Sequence, residues 1–230
     1  MEKFFSEHGI KIARRTLHMA VTISEYDLPD AFLFREGTAG ILVWQPQETV
    51  IVLGQSNSIE TSLHSEAVAA DGIRVTKRPS GGETVILTPA TIAFTVARHF
   101  PVMVHFRDFF RMVNSVVIEG LGEMGVTELG SKGISDITIG NRKILGSSMR
   151  KVGNKLVYHA VLNLAEDPSL FSKYLHHPRR EPDYRAGRRH DEFVTSIANE
   201  GYRFIPDDLT EMLNSRLASL MLSRNSLTGR

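Results

Sequence analysis

Ser135-Asp136-Ile137-Thr138-Ile139-Gly140-Asn141-Arg142-Lys143-Ile144-Leu145-Gly146-Ser147-Ser148 reads as two strands folded back on each other. Both arms carry β-branched or apolar residues, and Gly140-Asn141 between them suits the positive φ of a tight hairpin turn. A second dipeptide of the same kind, Gly153-Asn154, follows, so Lys155 to Leu164 reads as the next antiparallel neighbour. Strict alternation along the second arm points Lys143, Leu145 and Ser147 to one face and Ile144, Gly146 and Ser148 to the other.

Working outward, Val126 to Leu129, Gly72 to Arg78, Thr84 to Thr88 and Thr91 to Arg98 also have strand composition. Gly40 to Gln45 and Thr49 to Leu53 read as a hairpin around Pro46-Gln47-Glu48. Ile59 to Ala70 reads as a helix, and Phe106 to Leu121 places Phe109, Val113, Val116, Val117 and Leu121 at helical spacing. A last helix over 205–224, capped by Asp207 or Asp208, aligns Leu209, Leu213, Leu217 and Leu220 on one stripe. Strands clustered with interspersed helices predict an α+β fold: mixed, mostly antiparallel sheets with helices packed on them. With 230 residues and no convincing linker, the expectation is one domain over 1–230.

Composition narrows the chemistry. The chain has no cysteine, which excludes disulfides, thiolate zinc sites and a thioester on the protein. A net charge of +1 with 23% charged residues lacks the excess of positive charge usual in nucleic-acid binders, so no nucleic-acid partner is expected. No apolar run approaches the length of a membrane span, and Met1 to Glu7 lacks a signal-peptide pattern, so no membrane partner and a cytoplasmic location are expected.

Several motifs fail on context. Gly120-Leu121-Gly122-Glu123-Met124-Gly125 has the letters of a dinucleotide fingerprint, but a helix precedes it and a strand follows, the reverse of what that fingerprint needs. Neither a Walker loop nor a Gly-x-Ser-x-Gly elbow occurs, and His176-His177 lacks the spacing that puts two imidazoles on one helix face. Lys77-Arg78-Pro79-Ser80-Gly81-Gly82 survives. It joins a guanidinium fork, a hydroxyl and two side-chain-free backbones in one turn, a combination able to hold an anion.

That turn, followed by Ser135-Asp136, then Lys143-Ile144-Leu145-Gly146-Ser147-Ser148 and Tyr158-His159-Ala160-Val161, resembles the ordered motifs of the lipoate-protein ligase A family. Val52-Leu53-Gly54-Gln55-Ser56-Asn57 resembles the turn that precedes them there, so the likeness covers roughly residues 30–195. It places the chain in the biotin/lipoate protein ligase and transferase superfamily, as a catalytic domain without the accessory domain of many such ligases. The resemblance implies that lipoate, octanoate or a related acid is activated by ATP with Mg²⁺ to an acyl-adenylate and passed to a lysine of a lipoyl carrier domain. A separate accessory subunit is a further expected partner.

The resemblance also implies roles. Lys143 would be catalytic, bridging the acid and the α-phosphate. Arg78, Ser80, Gly81, Gly82 and His159 would bind the acyl and phosphate groups. Thr84, Val85, Asp136, Gly146, Ser147 and Ser148 would line the nucleotide, with Asp136 also a Mg²⁺ ligand or an orienter of Lys143. The basic segment 176–192, a long surface loop, would close over ATP or present Arg185 and Arg188 to an acidic carrier.

Two positions depart from the family pattern: Glu83 stands where a third glycine is usual, and Leu87-Thr88-Pro89-Ala90-Thr91 replaces a common His-Asp-x-Gly-Asn. Glu83 favours the alternative of a non-catalytic acyl- or nucleotide-binding module, whereas Lys143 beside Asp136 favours chemistry. A cysteine-independent acyltransferase is the remaining alternative, since the cysteine route of the superfamily's transferases is closed. The Gly-Arg-Gly-Arg-rich loop of biotin ligases is missing.

Overall fold

A computed structural model describes residues 20–101 and 104–222. Its strands are β1 (Ile23–Ser24), β2 (Gly40–Trp44), β3 (Val50–Leu53), β4 (Arg74–Lys77), β5 (Val85–Leu87), β6 (Thr91–His99), β7 (Leu129–Lys132), β8 (Asp136–Ile139), β9 (Arg142–Val152) and β10 (Lys155–Asn163). The helices are α1 (Ile59–Ser62), α2 (Ser65–Ala70), α3 (Phe106–Glu123), α4 (Ser169–Tyr174), α5 (His190–Phe193) and α6 (Pro206–Leu222). Two sheets result. Six antiparallel strands run β2-β6-β10-β9-β8-β7, and four mixed strands run β1-β4-β3-β5. The α+β architecture read from the sequence is therefore the one found.

The large sheet buries one face under α3 and α6. Leu156, Tyr158, Ala160 and Leu162 alternate along β10 toward these helices, meeting Phe109, Val113, Val117 and Leu121 of α3 and Leu209, Leu213, Leu217 of α6. Fully burying a side chain of this size is favourable by about 1.5–3 kcal/mol, so these two apolar stripes fix both helices on the sheet. Asn114 lies inside this layer, accepting from the Tyr158 hydroxyl at 2.9 Å and donating to Ser131 Oγ at 3.2 Å. The small sheet has its own core, where Ile51, Leu53, Val75 and Ile86 meet Leu63, Val68, Phe171 and Tyr174. Val50, Val52 and Leu87 join Trp44 and Val161 of the large sheet, and this contact leaves a cleft between the sheets.

Four local expectations are corrected. β2 and β3 form no hairpin: Trp44 pairs with Ala93 in the large sheet, while Val50 pairs with Arg74 and Leu87 in the small one. The connection between them crosses from sheet to sheet. The expected helix 59–70 is split at Leu63-His64, because Leu63 bridges Leu175 and His64 N donates to Tyr174 O at 2.9 Å. The strand expected at 126–129 begins at Leu129 instead; Val126 N bonds back to Leu121 O and closes α3 after Gly125 at φ +95°. The final helix starts at Pro206, with Asp207 and Asp208 in its first turn rather than at the cap. There their charge complements the helix dipole. Residues 223–224 of that expectation lie outside the described residues.

Candidate active site

The cleft has a volume of about 970 Å³, and its floor is the outward face of β8, β9 and β10. Asp136 pairs with Gly146, and Val161 and His159 of β10 pair with Gly146 and Ser148, so Asp136, Gly146, Ser148 and His159 share that face. Simple alternation sends Lys143 away from them. The structure corrects this with a β-bulge: Ile137 pairs with Leu145 and Thr138 with Lys143, leaving Ile144 as the extra residue. The bulge returns Lys143 to the face of Gly146, where a Cβ on Gly146 would sit 2.7 Å from Lys143 Cε and Nζ. Lys143 O accepts from Thr195 N at 2.8 Å, which pins the bulged strand from outside the sheet.

Lys143 Nζ lies 2.8 Å from Asp136 Oδ1, and the lysine side chain keeps 27% of its surface exposed to the cleft. Asp136 is nearly buried and also accepts from Ser135 Oγ at 3.2 Å and from the Tyr184 hydroxyl at 2.8 Å. Burial and the Asp136 charge push the Tyr184 phenol well up, so it stays a donor. Tyr184 belongs to the segment 176–192, which forms the outer wall of the cleft. That segment is more ordered than a solvated loop. Arg185 is 4% exposed, donating from Nε to Arg188 O and facing Glu181, and Arg188 donates to Asn141 O and Tyr184 O.

The turn 77–82 makes the opposite wall. Arg78 is buried and turns inward: Nε reaches Ser80 Oγ and Gly81 O, Nη1 reaches Val52 O at 3.1 Å, and Nη2 reaches Gly81 O and Glu83 O, both at 2.7 Å. The fork expected to grip an anion thus braces its own loop. Burial lowers its pKa to about 10. Ser80 Oγ meets His159 Nε2 at 2.5 Å, and burial, with the Arg78 charge, pushes that imidazole down to about 3, so it is neutral at physiological pH. Ser148 Oγ donates to Gly81 O at 2.8 Å and ties the turn to β9. Gly82 takes φ +84°, and a Cβ on Gly54 would stand 1.9 Å from Gly82 O, so both positions need glycine.

Of the residues singled out from the sequence, Lys143, Arg78, Gly82, His159, Thr84, Val85, Asp136, Gly146, Ser147 and Ser148 line the cleft together; Ser80 and Gly81 lie behind it. One end is apolar, with Leu28, Trp44, Val52, Leu87 and Phe94 around a buried carboxyl, Asp30. Asp30 accepts from Tyr26 at 2.8 Å and Thr95 at 2.6 Å, and burial raises its pKa. Behind Lys143 a side chamber of about 170 Å³ lies between β5, β9 and α5, walled by Ile86, Leu145, Phe171 and Val194. Asp136 is the carboxylate beside Lys143, and among the described residues no group of three or more His, Asp or Glu could hold a metal by itself. A single carboxylate offers an ion too few ligands of its own, so the residues present would fit an ion that brings its other oxygen ligands with it.

A family model of the lipoyl protein ligase A/B catalytic domain matches residues 30–217. The chain belongs to this family. It is 28% identical over 142 residues to the lipoate-protein ligase A of Blochmanniella floridana, covering 59% of this chain and 39% of that protein. The chain thus spans about two fifths of that relative's length. Two solved structures share the fold. A chain from the bipartite lipoate protein ligase and E2 lipoyl domain of Thermoplasma acidophilum superposes with a TM-score of 0.67 at 18% identity, covering 78% of this chain and 69% of the other. A lipoate-protein ligase A bound with ATP superposes with a TM-score of 0.68 at 17% identity, covering 87% and 83%.

For a lipoyl ligase-family domain, two cleft features escape the sequence motifs: Tyr184 comes from a segment that reads as solvated, and Asp30 and Thr95 meet only across the β6 face. Asn57, which ends the motif around Gly54, closes that turn by accepting from Gly54 N at 2.9 Å.

Proposed function

We propose that this domain activates lipoate or a related medium-chain acid with ATP and transfers the acyl group to a lysine of a lipoyl carrier domain. The observation that carries this reading is Lys143, held by the bulge over Gly146, paired with Asp136 and still open to the cleft. In the first step an acid oxygen attacks the α-phosphorus and pyrophosphate leaves. In the second, the carrier amine attacks the acyl carbon, loses a proton, and AMP leaves. Both steps build negative charge on oxygens between the two walls, and Lys143 stands where a fixed cation lowers that cost.

The apolar end lined by Leu28, Trp44 and Leu87 suits the acid's tail, and the side chamber flanked by Thr84 and Val85 suits the base of the nucleotide. Gly82 and Ser148 line the wall beside the reacting groups. Arg78 shapes that wall by bracing its carbonyls, and neutral His159 holds Ser80 in the same frame. Mg²⁺ bound to the nucleotide's phosphates would supply charge neutralisation, with Asp136 as its protein ligand. A separate accessory subunit is part of the proposal; one solved structure that shares the fold is described as a bipartite lipoate protein ligase from Thermoplasma acidophilum.

Glu83, whose side chain lines the cleft, is the one observation favouring a binding module without chemistry. One experiment separates the readings: the protein is incubated with ATP, Mg²⁺ and lipoic or octanoic acid, and acyl-adenylate is read by mass spectrometry. Lys143→Ala is expected to lower adenylate formation by about 100-fold or more, the scale of losing one transition-state donor. Nucleotide or acid binding with no adenylate from any acid would establish the binding module instead.

A further inference from the structure

The cleft opens at one side into a groove of about 810 Å³ between Gly81-Gly82, the start of α3 and the turn before β8. Groove and cleft share Gly82, Ile134, Ser135, Ser147 and Ser148, so the groove borders the cleft that holds Lys143. Two large apolar side chains stand exposed on its walls, Phe106 at 47% and Ile134 at 51%. Such residues next to a reactive centre mark a contact surface more often than isolated exposed apolars do. Beside them Arg107 is exposed and pairs with no carboxylate among the described residues, while Arg111 shares Asp108 at 3.1 Å in an exposed pair that solvent screens. His105 completes the edge.

From this we infer that the groove is the docking surface for the carrier: an acidic domain that presents its acceptor lysine over the Ser135 and Ser147 border that groove and cleft share. The inference rests on the ligase reading and adds the place and chemistry of the second substrate. The occupant must carry an amine to the reacting carbon, and the groove borders the cleft that holds it, whereas Tyr184 and its segment wall the other side. Its charge follows from the surface. With a net charge of +1 the molecule has no overall field to steer a partner, so attraction comes from a local patch such as Arg107 and Arg111. Of the two arginines the sequence offered for this task, Arg185 is buried against Glu181 and the Arg188 carbonyl, and half-buried Arg188 donates to the Asn141 and Tyr184 carbonyls.

The test compares wild type with Arg107→Glu and with Phe106→Ser. An acid in the first turn of α3 complements the helix dipole, so Arg107→Glu does not threaten the fold, and circular dichroism checks both variants. Three readouts are taken: adenylate formation without carrier, acylation of an apo lipoyl-domain protein, and direct binding of that protein by fluorescence anisotropy. The variants are expected to form adenylate within about twofold of wild type while the KM for the lipoyl domain rises about tenfold or more, with the salt dependence of acylation flattened in Arg107→Glu. Unchanged KM and unchanged binding in both variants would overturn the docking surface. Equal loss in both half-reactions by a folded variant would overturn it as well. If wild type binds the lipoyl domain and the variants do not, while no adenylate forms at all, the docking surface stands and the ligase reading fails.

Discussion

His159 sits in an environment far from that of an ordinary imidazole. Its imidazole is pushed down to about 3 by burial and by Arg78, against about 6.5 in an unfolded chain. Between those values the unfolded state binds a proton that the folded state refuses, so stability falls as pH drops through 6.5 toward 3 and gains nothing from this group above 6.5. His159→Gln removes the titration and keeps a polar atom toward Ser80. Its urea midpoint is expected to fall less than that of wild type between pH 7 and pH 4.5, since the carboxylates that titrate in both proteins cancel in the comparison. Equal losses would mean that His159 accepts its proton in the folded state. The same geometry assigns Arg78 and Ser80 to the frame of the site, although their sequence motif is the one that announced it. A motif records which residues occur together; which of them turn their donors inward depends on the carbonyls of Val52, Gly81 and Glu83, and no residue type reports a carbonyl's direction.

At the scale of the element, β9 decides the site through one irregularity. Period-two alternation correctly groups Gly146 with Ser148 and correctly buries Ile137 opposite Leu145, and it fails at Lys143 because Ile144 is bulged. Lys-Ile-Leu looks as regular as any strand, and the cause lies fifty residues on, where Thr195 N takes the Lys143 carbonyl. The same limit explains the false hairpin at 40–53: Pro46-Gln47-Glu48 is a good local turn, and only pairing with β6 and β4 sends its arms to different sheets. Two glycine substitutions separate element from site. Gly146→Ala places a methyl 2.7 Å from Lys143 Cε and Nζ, and the lysine must leave Asp136 to admit it. Adenylate formation is expected to fall at least about tenfold with little change in Tm, because a flexible side chain can yield without disturbing the sheet. Gly153→Ala, in the β9–β10 turn at φ +59°, is expected to do the reverse: activity near wild type, and Tm lower by about 2–4 °C for each kcal/mol of left-handed strain. Loss of both properties in Gly146→Ala would place that glycine in the fold rather than in the site.

The whole molecule is two sheets in limited contact, with a third wall, 176–192, tied across them through Tyr184 and Asp136. The α+β class and most strands could be read from composition and turns, because each sheet's core is written as local alternation. Their mutual placement could not, since Trp44 and Val161 meet Val50 and Leu87 only after both sheets exist. A ligand reaching from the apolar end at Leu28 and Trp44 to the chamber at Thr84 and Val85 touches both sheets and the wall at once. It should therefore stabilise the fold as a single unit. A non-hydrolysable acyl-sulfamoyl-adenosine at 100 times its Kd adds about 2.7 kcal/mol by mass action, which for a domain of this size corresponds to about 5–10 °C in Tm. The octanoyl and lipoyl forms are expected to give this shift, and AMP at the same concentration a much smaller one, because AMP leaves the apolar end unfilled and binds more weakly. If AMP alone shifts Tm as far as the acyl forms do, the tail does not bind between the sheets, and the apolar end around Asp30 must serve the core and not the substrate.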